Sequence, residues 1–201
     1  MVDVFADRTL IQNNRDRDEL DTEQQVVRKL RNKVLLLYFG SGSCPKCQCF
    51  SLLLKDFTTR LLDEYYVERA AQLALLYVSQ DQTEEQERKF LKTMPWRWLT
   101  LPFTDSFKSE LLSRYAITES PTVIVVRPDG EVITREGVAE ITTRGVDCFT
   151  NWWRASDIID RNFLLPEDFE PLTLKSLTHG IRKLKYKIEK RNEDEGDSDQ
   201  E

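Results

Sequence analysis

The sequence predicts an α/β fold with a mixed central sheet and helices on both faces. Three observations predict it. Two continuous apolar runs, VLLLYFG (34–40) and LALLYVS (73–79), are too short for helices and suit strands buried on both faces. Between them, Phe50, Leu53, Leu54, Phe57 and Leu61 step by three or four, the stripe of an amphipathic helix from Cys44 to about Tyr65. Further on, PTVIVVRPDGEVITR (121–135) reads as two antiparallel strands around a Pro-Asp-Gly turn.

In chain order, TLIQ (9–12) suits a short first strand. DTEQQVVRKLRNK (21–33) suits a helix capped by Asp21 or Thr22, with acids early and bases late as the helix dipole favours. Strand 34–40 ends at Gly40, and SGS (41–43) makes the turn into the helix that begins at Cys44. After strand 73–79, TEEQERKFLKTM (83–94) is a charged helix and PWRWLTLPF (95–103) an irregular aromatic connection. TDSFKSELLSRYAI (104–117) is another helix, the hairpin follows, and GVDCFTNWWRASDII (145–159) is the last helix. This order implies a sheet parallel in its first part and antiparallel at its end. The domain is expected to end near residue 160. Residues 161–191 read as a basic helical extension, and NEDEGDSDQE (192–201) as an acidic disordered tail.

Composition narrows the function. A hydrophobic share of 40% and a charged share of 32% over 201 residues fit a globular chain. A net charge of −6 argues against a general nucleic-acid binder. No apolar run approaches the roughly 20 residues of a transmembrane helix. The polar N-terminus does not read as a signal peptide, which places the chain in a reducing, cytoplasmic setting by expectation.

Three of the four cysteines fall within six positions, in CPKCQC (44–49). Cys44 and Cys47 lie where a buried strand turns into a helix, on one side of the first helical turn and close enough for a disulfide. Exposed N–H groups, the positive helix end and Lys46 favour a thiolate at Cys44. Pro45 stiffens the helix start. A nucleophilic Cys44 resolved by Cys47 needs only this geometry. Ser120-Pro121-Thr122 stands at the start of a strand after a helix and loop, the context in which a cis-proline faces a Cys-x-x-Cys loop. The sequence leaves the isomer open.

Taken together, CPKC, the strand end YVSQD, MPWRWLTLPF and RYAITESPTVIVVRPDGEVI resemble the thioredoxin superfamily in its tryparedoxin/nucleoredoxin branch. RTLIQNNRDRDELDTE and FLLPEDFEP are similar, more narrowly, to its nucleoredoxin-like members. The resemblance implies a thioredoxin-like three-layer fold with no cofactor. It also implies a photoreceptor protein that supports cone survival, acting inside the cell on protein disulfides or with a thiol reductant. A truncated form of that family is released and acts through basigin and an associated glucose transporter. Two departures stand out. Thioredoxins carry a tryptophan just before the first cysteine, where this chain has Ser43. They place an aspartate six residues before it, where this chain has Tyr38. Weak turnover as a general disulfide reductase follows.

Rival readings bear on each feature. Zinc needs four ligands, and beyond Cys44 and Cys47 only Cys49, Cys148 and His179 remain, none at paired spacing, so no metal is expected. An inert cysteine pair, or a binding protein whose cysteines no longer turn over, is the rival from another class. Peroxide reduction through a Cys44 sulfenate uses the same two residues. Cys49 and Cys148 are expected to be small core residues on their helices. Trp96 and Trp98 either flank a substrate groove or plug the core. Ser43, Pro45, Trp96, Ser120 and Pro121 are the expected substrate-contacting positions around Cys44 and Cys47.

Overall fold

The computed structural model describes residues 2–5, 7–61, 72–96 and 98–156. The expected helical run to Tyr65, the boundary at 160, the extension 161–191, the acidic tail and His179 lie outside the described residues.

Among the described residues, β1 (Leu10–Gln12), β2 (Glu19–Leu20), β3 (Val34–Gly40), β4 (Leu73–Ser79), β5 (Leu99–Thr100), β6 (Thr122–Val126) and β7 (Val132–Thr134) form one sheet. Its order is β2-β1-β5-β4-β3-β6-β7. The pair β3–β4 is parallel, as is β4–β5, whereas β3–β6 and β6–β7 are antiparallel. The sheet is thus mixed in the manner expected. The antiparallel pairing of β1 with both β5 and β2 was not foreseen. Strands of two or three residues carry no periodicity to read.

The helices are α1 (Val2–Phe5), α2 (Glu23–Leu30), α3 (Pro45–Leu61), α4 (Glu84–Leu91), α5 (Phe107–Arg114), α6 (Gly137–Arg144) and α7 (Asp147–Ala155). Helix α6 was missed. Its eight residues contain Gly137 and a Thr-Thr pair, which are poor helix formers. It is held by packing, because a side chain at Gly137 would overlap Val123 of β6. The last helix starts two residues later than expected.

Strand β3 is buried along its whole length and alternates between two cores. Val34, Leu36 and Tyr38 join a cluster with residues of α3, α4 and α7, whereas Leu35, Leu37 and Phe39 join one with α1, α2 and α5. That alternation of a period-two strand between two apolar layers is what makes the fold three-layered. The hairpin turns through Gly130, which adopts φ 104. Register then delivers the functional end. Phe39 pairs with Thr122, so Pro121 comes level with the exit of β3 into the loop ahead of α3.

Candidate dithiol site

The β3–α3 junction follows from its residues. Gly40 ends the buried run, and the chain crosses close to α4 at Gly42, where a Cβ would lie 2.7 Å from that of Phe90. Cys44 occupies the cap position of α3. Its carbonyl accepts the first helical bond from the Gln48 N–H at 3.0 Å. Both thiols are free, with Cys44 half-buried and Cys47 buried. Ser120–Pro121 is a cis peptide, and the Cys44 thiol points at the Ser120 carbonyl at 3.9 Å. The structure therefore brings Cys44, Cys47, Ser43, Pro45, Ser120 and Pro121 to one end of the sheet.

The two thiols differ in acidity. The Cys47 backbone N–H holds Cys44 below its ordinary range, helped by the Cys47 thiol, the Lys46 N–H and the Lys46 charge, against a smaller cost of burial. Burial, with a smaller contribution from the adjacent Cys44, pushes Cys47 up to about 11 against the lowering influence of a backbone hydrogen bond at Ser41. One sulfur is set to be a thiolate while the other keeps its proton. This is the asymmetry a dithiol exchange uses.

The position of the absent aspartate is filled by Tyr38, wholly buried, whose hydroxyl donates to the Cys47 carbonyl at 3.4 Å. Burial raises its pKa far above the ordinary phenol value, so it serves as a donor and not as a base. Asp81, at the close of the Val-Ser-x-Asp strand end, organises the loop. Its Oδ1 accepts from Ser41 Oγ and the Gly42 N–H, both at 2.7 Å. Its Oδ2 accepts from the Tyr77 hydroxyl at 3.1 Å and Ser79 Oγ at 2.9 Å. Ser43 is tied in turn to Ser41, with hydroxyl oxygens 2.8 Å apart. Ser120 Oγ donates to Gln80 Oε1, which joins the proline loop to the end of β4. The signal for Asp81 was the Val-Ser-x-Asp strand end, legible as a motif but silent on geometry.

Two expectations are corrected. Cys49 is exposed, not core. The buried stripe of α3 runs through Cys47, Phe50, Ser51, Leu54, Phe57, Thr58 and Leu61. At about 100° per residue Cys49 stands off its flank. Leu53 is 46% exposed for the same reason. Cys148 is buried as expected and donates to the Gly145 carbonyl at 2.9 Å. The tryptophans separate. Trp98 is buried in the core, whereas Trp96 is 71% exposed and lines a different concavity from the one beside Ser43.

A strand–loop–helix dithiol facing a cis-proline, on a mixed sheet with helices on both faces, defines a thioredoxin-like redox protein. A family model described as thioredoxin-like matches residues 32–132. In solved structures, thioredoxin from Wuchereria bancrofti superposes with a TM-score of 0.60 at 28% identity, covering 75% of this chain and 96% of that one. Tryparedoxin from Trypanosoma brucei, 23% identical, shares the fold with a TM-score of 0.58 over 73% of this chain and 92% of its own. The chain belongs to the thioredoxin-like family and, within it, to the nucleoredoxin-like protein 1 group. It is 53% identical to nucleoredoxin-like protein 1 of Homo sapiens over 190 residues, 94% of this chain and 90% of that protein. It is 47% identical to the Mus musculus protein of that name over 94% of this chain and 88% of the relative. Among the described residues no helix is long and apolar enough to cross a membrane.

Proposed function

We propose that the chain protects photoreceptors, cones above all, by thiol–disulfide exchange on cytoplasmic proteins. The observation that carries this reading is the opposite displacement of the two thiols beneath the cis-proline. Cys44 thiolate attacks a substrate disulfide. Its S–S bond breaks, one substrate sulfur leaves as thiolate and a mixed disulfide forms. Cys47 then gives up its proton and attacks Cys44 sulfur, which releases the second substrate thiol and leaves the Cys44–Cys47 disulfide. A thiol reductant returns the pair to the dithiol. The Ser120 carbonyl and Pro121 present backbone to the substrate chain, and Ser43 and Pro45 border the attacking sulfur. The photoreceptor setting is what the resemblance to nucleoredoxin-like proteins implies.

A second reading is favoured by Ser43, exposed where thioredoxins carry a tryptophan. On that reading the chain is a trophic ligand that engages basigin and its glucose transporter without turnover. Two variants divide the readings. Cys47→Ser traps substrate proteins as mixed disulfides on Cys44 if exchange is the function. Cys44→Ser abolishes protection of cultured cones on the exchange reading and leaves it intact on the ligand reading.

A further inference from the structure

Helix α4 walls two concavities. Gln86, Lys89 and Phe90 face the groove beside Ser43, whereas Arg88, Leu91 and Lys92 face the second. That second, open cavity, about 440 Å³, is also lined by Ile11 to Arg15 and Arg17, by Met94 and Trp96, and by Thr100. Its size lies within the range of small-molecule sites. Four cations line it (Arg15, Arg17, Arg88 and Lys92) and no carboxylate does, in a chain of net charge −6. Arg88 is held by Glu84 at 2.6 Å. Among the described residues none is ion-paired to Arg15, Arg17 or Lys92. The neighbouring acid Asp18 is occupied by Asn14, whose Nδ2 donates to it at 2.6 Å.

The end of α4 would oppose an anion through its free carbonyls. The Leu91 carbonyl at that end is covered. Asn13 Nδ2 donates to the carbonyls of Leu91 at 3.0 Å and Pro95 at 3.1 Å. The Asn13 N–H donates to the Trp98 carbonyl at 2.7 Å. Those bonds also fix the arginine loop against the segment that carries Trp96. The indole, 71% exposed, offers a flat face at the rim of the positive cavity.

We propose that this cavity binds a phosphate ester carrying an aromatic ring, the chemistry of a nucleoside triphosphate. The phosphates lie against Arg15, Arg17 and Lys92, and the base stacks on Trp96. The site shares no lining residue with the groove beside Ser43, and its occupancy does not depend on the dithiol.

The test is calorimetric titration of the full chain with ATP, with tripolyphosphate and adenosine as separate arms. ATP is expected to bind more tightly than either, with an affinity that falls as salt is raised. Trp96→Ala weakens it about tenfold, and the double variant Arg15→Gln/Arg17→Gln weakens it by about tenfold or more. Cys44→Ser leaves it unchanged. Circular dichroism checks that the surface variants fold. The proposal is overturned by no heat at millimolar ATP, by equal binding of tripolyphosphate, by affinity that survives both variants, or by displacement of ATP by an equimolar acidic peptide.

Discussion

Cys44 and Cys148 both sit at the start of a helix, α3 and α7, and the surroundings drive their thiols in opposite directions. Backbone N–H groups and Lys46 hold Cys44 low. At Cys148 burial and, less strongly, Glu140 together push the thiol up to about 12 against weaker help from nearby N–H groups and Arg144. A helix N-terminus alone therefore does not activate a thiol. Water access and the sign of the nearest charge decide whether the dipole is felt.

Alkylation sharpens this contrast most. At pH 7 the thiolate fraction of Cys44, held low, exceeds that of Cys148, pushed up by burial. Iodoacetamide followed by peptide mapping should modify Cys44 long before Cys148, and comparable rates in the folded chain would erase the distinction. Asp81 bears on the support beneath Cys44. In Asp81→Asn one of the two accepting oxygens becomes an amide facing Tyr77 and Ser79 or Ser41 and Gly42. This should cost about 2 kcal/mol in urea unfolding and slow Cys44 alkylation. An unchanged midpoint would show that the four bonds are idle.

Alkaline titration addresses Cys148. Unfolded chains lose this proton from near pH 9, whereas the folded state keeps it to about 12. Stability therefore falls as pH rises through that window, by at most about 1.4 kcal/mol per pH unit for this group. Cys148→Ala should flatten the slope, although at neutral pH it removes a buried side chain and lowers stability. Lys46→Gln is the mildest change. Removing the smallest of the influences that hold Cys44 low should shift its alkylation profile to higher pH and slow the reaction about twofold at pH 7. Acceleration would reverse the assigned sign.

The buried strands were readable because burial on both faces leaves an unbroken apolar run, as in 34–40 and 73–79, and those bounds match β3 and β4. The dithiol was equally plain, since its chemistry is local to four residues. Cys49 was misjudged because Leu53, an apolar residue on the helix flank, was counted into the stripe. Asp81 lies 37 positions from Cys44 and acts through Ser41 and Gly42, contacts that only the β3–β4 register creates. Trp96 could not be parted from Trp98 by sequence, because two tryptophans in an irregular segment have no periodicity to sort them.

The most direct test is the reduction potential of the Cys44–Cys47 pair, taken by equilibrating the chain in glutathione buffers and counting free thiols. A disulfide that forms with a potential between roughly −180 and −270 mV, the span of working oxidoreductases, is the predicted result. A pair that stays reduced throughout, or never closes, would contradict exchange chemistry at this site.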